Sequence, residues 1–211
     1  MKTGKKALLL ALCAVLLVAA TVMGTMAYLV DTKTVENTFT IGKVAITLDE
    51  AKVNADGTAV ANADRVTTNE YKLMPGHSYK KDPTVHVTAG SEDSYIFVKV
   101  ENGISGFEAA SSTAEGGYKT IAEQIVAKGW IALEGNSGVY YKTYSGSQAT
   151  DLVVFEKFKI ADDANTRDGW TGVNTTSTKV TITAYAVQKD GFNTAKDAWD
   201  ATYGKPVTPV V

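Results

Sequence analysis

The sequence predicts an all-β sandwich. Three observations lead to it: many short segments with alternating apolar residues, turn signals between them, and only two short helical patterns. At 211 residues the chain can bury one sizeable core, and one domain is the expectation. No repeat of 20–50 residues is visible.

The chain opens on Lys2, Lys5 and Lys6, followed by an almost wholly apolar run from Ala7 to Met23 that Gly24 breaks. A positive start, an apolar run and a small-residue exit at Thr25-Met26-Ala27 are the pattern of a secretory signal peptide. The apolar run is about as long as the shortest spanning helices, roughly 17 residues, so a retained anchor is the rival. The Thr-x-Ala exit and the lack of a positive flank favour cleavage between Ala27 and Tyr28. Residues 1–27 are therefore expected to be a signal peptide, 28–205 a β-sandwich domain, and 206–211 an extended tail.

Cleavage there removes Cys13, the one cysteine, and three lysines, so the net charge moves from −2 to −5. A cysteine-free exported domain must be held without disulfides. Mild acidity with mixed signs speaks against nucleic acid or anionic lipid as partner. Membrane contact is expected only through the uncleaved leader.

In the next stretch Val35, Asn37, Phe39 and Ile41 share one parity, and Val44, Ile46 and Leu48 the other. The phase flips at Gly42-Lys43, so two strand segments are expected to hinge at Gly42. Ala51–Tyr71 is polar, with a turn signal at Asn54-Ala-Asp-Gly57, and reads as an exposed insertion. Pro75-Gly76 marks a turn, and Pro83 opens a strand with Val85 and Val87 inward. Tyr95–Glu101 carries apolar residues at both parities, which predicts burial on both faces.

Ile121 with Ile125 and Ala122 with Val126 give the first helical spacing, over Tyr118–Lys128, with Gly129 as its stop. Trp130–Leu133 and Val139–Tyr144 flank a Gly-rich loop and predict a hairpin. Val153 and Phe155 have one parity, Phe158 and Ile160 the other, which predicts a second bulge near Glu156-Lys157. Asp162–Trp170 is a polar loop, and Val180–Val187 the last strong strand. Thr194-x-x-Asp197 opens a short helix with Trp199 and Tyr203 on one face. The tail, with Pro206 and Pro209, shows neither an apolar anchor nor a Leu-Pro-x-Thr-Gly sorting signal.

Several of these stretches together resemble the TasA/camelysin family of Gram-positive surface and biofilm-matrix proteins. They are Gly24-Thr-Met-Ala-Tyr-Leu-Val-Asp31, Asn37-Thr-Phe-Thr-Ile-Gly42 and Val44-Ala-Ile-Thr-Leu48. Leu73-Met-Pro-Gly76 followed by Lys81-Asp-Pro83, and Ile182-Thr-Ala-Tyr-Ala-Val-Gln188, extend the likeness. Glu101–Gly129 has no counterpart in it. The resemblance narrows the sandwich to a jelly roll and implies a leader cut by a SipW-type signal peptidase. It also implies a matrix or cell-surface location, with the chain itself or related matrix proteins as partners.

Chemistry is sparse. A catalytic zinc needs about three protein ligands, and the chain has two histidines, His77 and His86, with no His-Glu-x-x-His. His77 reads as an exposed turn residue and His86 as the outward face of a strand. A camelysin-like metalloprotease is thus a rival, not the main reading. Asp162, Asp163, Asn165 and Asp168 supply oxygens but miss the EF-hand pattern, which wants Gly where Asp168 falls. Glu92 and Asp93, between Ser91 and Ser94, read as a solvated turn. No Gly-x-Ser-x-Gly elbow is present. Trp130, Tyr140, Tyr141 and Tyr144 fit either cross-strand packing or a glycan-binding platform, and with the latter a monomeric adhesion module is a further rival. No cofactor or metal is expected.

The expectation is a non-enzymatic, secreted fibre subunit. Its freed N-terminal strand, with Val35, Phe39 and Ile41 as anchors and Gly42 as hinge, would add head-to-tail to the next copy.

Overall fold

The structure is a computed structural model and describes residues 12–14, 43–109, 118–146, 148–170 and 178–204. The chain divides into two compact units, Met1–Thr40 and Ile41–Val211. Of the first, only the helical residues 12–14 are described. Ala27, Tyr28, Val35, Phe39, Ile41 and Gly42, and with them the cleavage site, the donor strand and its hinge, lie outside the described residues.

The second unit is all-β, with antiparallel pairing throughout its described strands. β1 (Ile46–Asp49), β3 (Thr84–Val87) and β7 (Thr150–Val153) form one sheet in the order β1-β3-β7, and β2 (Ser78–Lys80) pairs with β8 (Lys157–Lys159). β4 (Ser94–Asn102), β5 (Ile131–Ala132), β6 (Val139–Tyr144) and β9 (Val180–Gln188) form a second sheet, in the order β5-β6-β4-β9.

Side-chain alternation explains how the sheets meet. Val85 and Val87 of β3 join Ile96 and Val98 of β4 in one buried cluster, with Phe158 and Ile160. The opposite row of β4, Tyr95 and Phe97, joins Val139 and Val187 in a second cluster. The double burial expected for this strand is present, and β4 is central because both its faces are apolar. The C-terminal helix, Ala195–Thr202, lies over the second cluster: the Trp199 ring sits 5.1 Å from Phe97 and 5.3 Å from Tyr185. Thr194 caps it by accepting the Asp197 N–H, as the capping signal predicts.

The other helix is shorter than its apolar spacing suggests, Ile121–Ala127. Thr120 and Glu123 close a reciprocal capping box at its start, which leaves Tyr118 and Lys119 outside it. Ile121 and Ile125 enter the first cluster, and Gly129 follows the helix with φ +81°.

Two expectations are corrected. The bulge near Glu156-Lys157 does not form. The last pair of β2 with β8 is Lys80↔Lys157 and the first pair of β3 with β7 is Thr84↔Val153. Three residues intervene on each strand, 81–83 and 154–156, so the register carries through with no residue inserted. Leu152, Val154, Phe158 and Ile160 all face the core on one parity, and Phe155 is buried besides. That extra buried phenylalanine imitates a phase flip. The ladder is interrupted where Pro83 supplies no N–H; Lys81 N–H to Glu156 C=O (3.1 Å) and Val154 N–H to Pro83 C=O (2.8 Å) hold the gap.

Nor is Ala51–Tyr71 merely an exposed insertion. Its bridges Val53↔Ala59 and Glu50↔Val66 fold it back on β1. Val53 is buried and Tyr71 packs against the core. Gly57 is buried against β2 with φ +82°, and a Cβ there would lie 2.7 Å from Tyr79 Cα.

Gly57→Ala therefore combines a left-handed backbone with overpacking against a strand, and should destabilise the domain by about 3 kcal/mol. Gly135→Ala has a similar φ of +75° but open space around it, and should cost only about 1 kcal/mol. Urea unfolding of the two variants checks the difference; equal losses would refute the steric contact.

Candidate functional site

The end of β1 is where polar chemistry concentrates. Strand alternation sends consecutive side chains to opposite faces, and Asp49 and Glu50 each meet a separate cluster.

Asp49 faces outward. Its Oδ1 meets His86 Nε2 at 2.9 Å and also accepts from Arg65 Nε. His86 Nδ1 meets Asp151 Oδ1 of β7 at 2.6 Å. Arg65 comes from the insertion, and its Nη2 further donates to Asp82 C=O and Thr84 Oγ1, each at 3.0 Å. One imidazole thus joins the three strands of the sheet. Hydrogen bonding to Asp49 and then to Asp151 raises the His86 pKa against the opposing effect of burial. Burial pushes the Asp49 carboxyl up, but the bonds from Arg65 and His86 outweigh it and hold it below its ordinary value.

His86 lies on the outward face of β3, as its alternation predicts, but it is half-buried and bridged on both nitrogens where an exposed residue is expected. His77 is exposed at the Pro75-Gly76 turn, as expected. The two carboxylates beside His86 sit on opposite ring nitrogens and cannot converge on one ion. Among the described residues, no group of three or more His, Cys, Asp or Glu side chains is placed to hold a metal.

Glu50 faces inward and is 4% exposed. Its Oε2 lies 2.5 Å from Lys81 Nζ, and its Oε1 accepts from Asn69 Nδ2 at 3.0 Å. Lys81 lies between β2 and β3, on the same parity as the buried Tyr79, Val85 and Val87, and is itself buried. Tyr71 lies against the pair, its ring centroid 5.8 Å from Lys81 Nζ, and packs in turn on Phe158 at 5.4 Å and Tyr79 at 5.9 Å. Burial first, then the charges of Glu50 and Asp82, raise the Tyr71 phenol well above its ordinary pKa.

A groove of about 830 Å³ opens beside this pair. Leu48, Tyr71 and Leu73 line one wall; Val180 and Ile182 of β9 line the other. In the described sheets β1 and β9 are each the last strand of their sheet, so the groove runs between two sheet margins.

The other sequence candidates are placed as follows. Asp163 pairs with Arg167 at 2.6 Å, which occupies a carboxylate of the acidic loop. Glu92 and Asp93 are exposed, as the solvated-turn reading has it, while Ser91 and Ser94 beside them are buried. Ser91 Oγ accepts the Ala45 N–H at 3.2 Å. Trp130 is 1% exposed and donates to Val153 C=O at 2.9 Å; Tyr144 is buried too. Tyr141 packs into the other cluster. These rings are cross-strand packing and present no common platform. Among the described residues no helix is long and apolar enough to cross a membrane.

Sequence reasoning missed the Glu50–Lys81–Asn69 cluster. The available signal was a lysine at odd parity with Tyr79, Val85 and Val87.

No family model, curated protein or solved structure matches the chain.

The imidazolium bridge sets a pH dependence. A folded-state pKa raised above the unfolded value near 6.5 gives stability that is complete below that value. It is lost as pH rises through the folded pKa. Unfolding free energy should therefore fall between weakly acidic and weakly alkaline pH. His86→Ala should flatten this fall and cost about 1 kcal/mol at pH 6, since Asp151 is largely exposed. His77→Ala should change neither. A wild-type pH profile identical to that of His86→Ala would refute the bridge.

Proposed function

We propose that the chain is a secreted, non-enzymatic structural protein, a jelly-roll subunit of a cell-surface or biofilm-matrix fibre. The observation that carries this reading is the groove between β1 and β9. It is bordered by backbone at two sheet margins and walled by Leu48, Leu73, Val180 and Ile182. An extended segment laid in such a groove gains backbone hydrogen bonds from the margin and apolar pockets at alternate side chains. The stretch with Val35, Phe39 and Ile41 has that alternation, and removal of a leader at Ala27–Tyr28 would free it. Donation to the next copy is head-to-tail, which gives a filament when the rotation does not close a ring. Filling the margins also removes edges that invite unspecific pairing.

Antiparallel sheets packed around a common core support the jelly-roll assignment, and the leader pattern supports export through a SipW-type signal peptidase. The TasA/camelysin-like motifs support a Gram-positive matrix setting, with self or related matrix proteins as partners.

The mature chain is expected to form filaments visible by electron microscopy. Deleting residues 28–40 should leave folded monomers that cap growing filaments. Phe39→Asp should act similarly, because an unpaired charge would enter an apolar pocket. Filament growth by the truncated chain at the wild-type rate would overturn strand donation. Chelator-sensitive proteolysis by the purified protein would overturn the non-enzymatic reading.

A further inference from the structure

The Glu50–Lys81–Asn69 cluster is more than a buried ion pair. Glu50 presents one carboxylate oxygen to an amine and the other to an amide. Lys81 Nζ lies 2.5 Å from Oε2, and Asn69 Nδ2 lies 3.0 Å from Oε1. A single carboxylate thus holds a nucleophile and a leaving group side by side. The remaining atoms of the amide are fixed as well. Asn69 Oδ1 accepts the Val53 N–H at 3.0 Å, and Nδ2 also donates to Ala51 C=O at 2.9 Å. A backbone N–H on the carbonyl oxygen is the arrangement that stabilises an oxyanion when the carbonyl carbon is attacked.

The surroundings suit the same chemistry. The side chains of Lys81 and Glu50 are 10% and 5% exposed. The Lys81 amine sits 5.8 Å from the centroid of the Tyr71 ring, which packs on Phe158. Solvation of two charges is given up there, and moving one proton from Nζ to Oε2 leaves a neutral amine and a neutral acid. Lysine amines desolvated in apolar pockets are nucleophiles.

The geometry points to an autocatalytic amide bond between Lys81 Nζ and Asn69 Cγ, with Glu50 as the proton carrier. Glu50 accepts a proton from the ammonium of Lys81. The neutral amine attacks Asn69 Cγ, forming the Nζ–Cγ bond, while Val53 N–H holds the oxygen. Glu50 delivers its proton to Nδ2, and the Cγ–Nδ2 bond breaks. Glu50 then takes the second Nζ proton and passes it to the departing ammonia, which leaves as ammonium. Atoms and charge balance, and no oxidant or co-reactant is needed.

The bond would tie the insertion to the strand row at the interruption between β2 and β3. It would give a covalent lock to a domain whose sequence from residue 43 to residue 204 contains no cysteine. It is independent of filament formation.

The test is the intact mass of the purified full chain under denaturing conditions, followed by tryptic mapping. The expected result is a mass lower than the sequence value by one ammonia, with a branched peptide joining the Lys81 and Asn69 segments. Lys81→Arg and Glu50→Gln should each abolish both signatures. The full sequence mass, with Lys81 cleaved by trypsin as an ordinary lysine, would show a non-covalent ion pair and overturn the proposal. Loss of ammonia without the branched peptide would overturn it equally. A folded Glu50→Gln variant that still carried the bond would overturn the role of Glu50. If that variant fails to fold, the wild-type mass and peptide map still decide.

Discussion

A buried lysine in the gap between two strands is the constraint around which this domain is arranged. Tyr79, Lys81, Val85 and Val87 share one parity and are all buried. A buried ammonium without a partner is untenable, and breaking such a pair costs about 3–5 kcal/mol. Glu50 answers Lys81 from the end of β1, 31 residues earlier. That pairing ties β1 to the row formed by β2 and β3 at the point where Pro83 has already weakened the ladder. The interruption and the ion pair belong together: the sheet loses backbone bonds where the side chains supply a strong contact.

The insertion follows from the same constraint. Glu50 has a second oxygen, and Asn69 reaches it from the return limb of Ala51–Tyr71. Arg65 of that limb takes Asp49 on the opposite face. Asp49 and Glu50 are neighbours in sequence, so the insertion grips β1 from both sides. That grip positions Tyr71 and Leu73 as one wall of the groove, opposite Val180 and Ile182. A groove wall built from a loop is ordinarily mobile; this one is fastened to a strand by two charged residues.

Much of this was legible in the sequence, wherever apolar residues carried the signal. The double parity of Tyr95–Val98, the Ile121–Ile125 spacing and the Thr194 cap each correspond to an element or its burial. The misreadings lie where alternation alone decides. Parity arguments treat a charged residue as outward, so Lys81 was passed over although its neighbours two and four residues away are buried on the same face. The bulge expected near Glu156-Lys157 has a different origin: Phe155 is an additional buried residue off the core-facing row of its strand. His86 read as exposed because alternation gives the face and not what stands there. Asp49 and Asp151 come from strands 37 and 65 residues away, and no local pattern announces a pairing register.

The two clusters at the end of β1 also differ in how they respond to solvent. The outer one, with Asp151 on its exposed side, is reached by protons and screened by salt. Its strength therefore varies with pH through His86. The inner one is buried beside Tyr71 and is screened much less. Loosening of the outer cluster at alkaline pH would leave β1 held by Glu50, so the strand would keep its place along the groove. The margin facing β9 thus depends chiefly on the buried contact. A domain that must present the same groove across changing surroundings is better served by a buried anchor than by the exposed imidazole bridge.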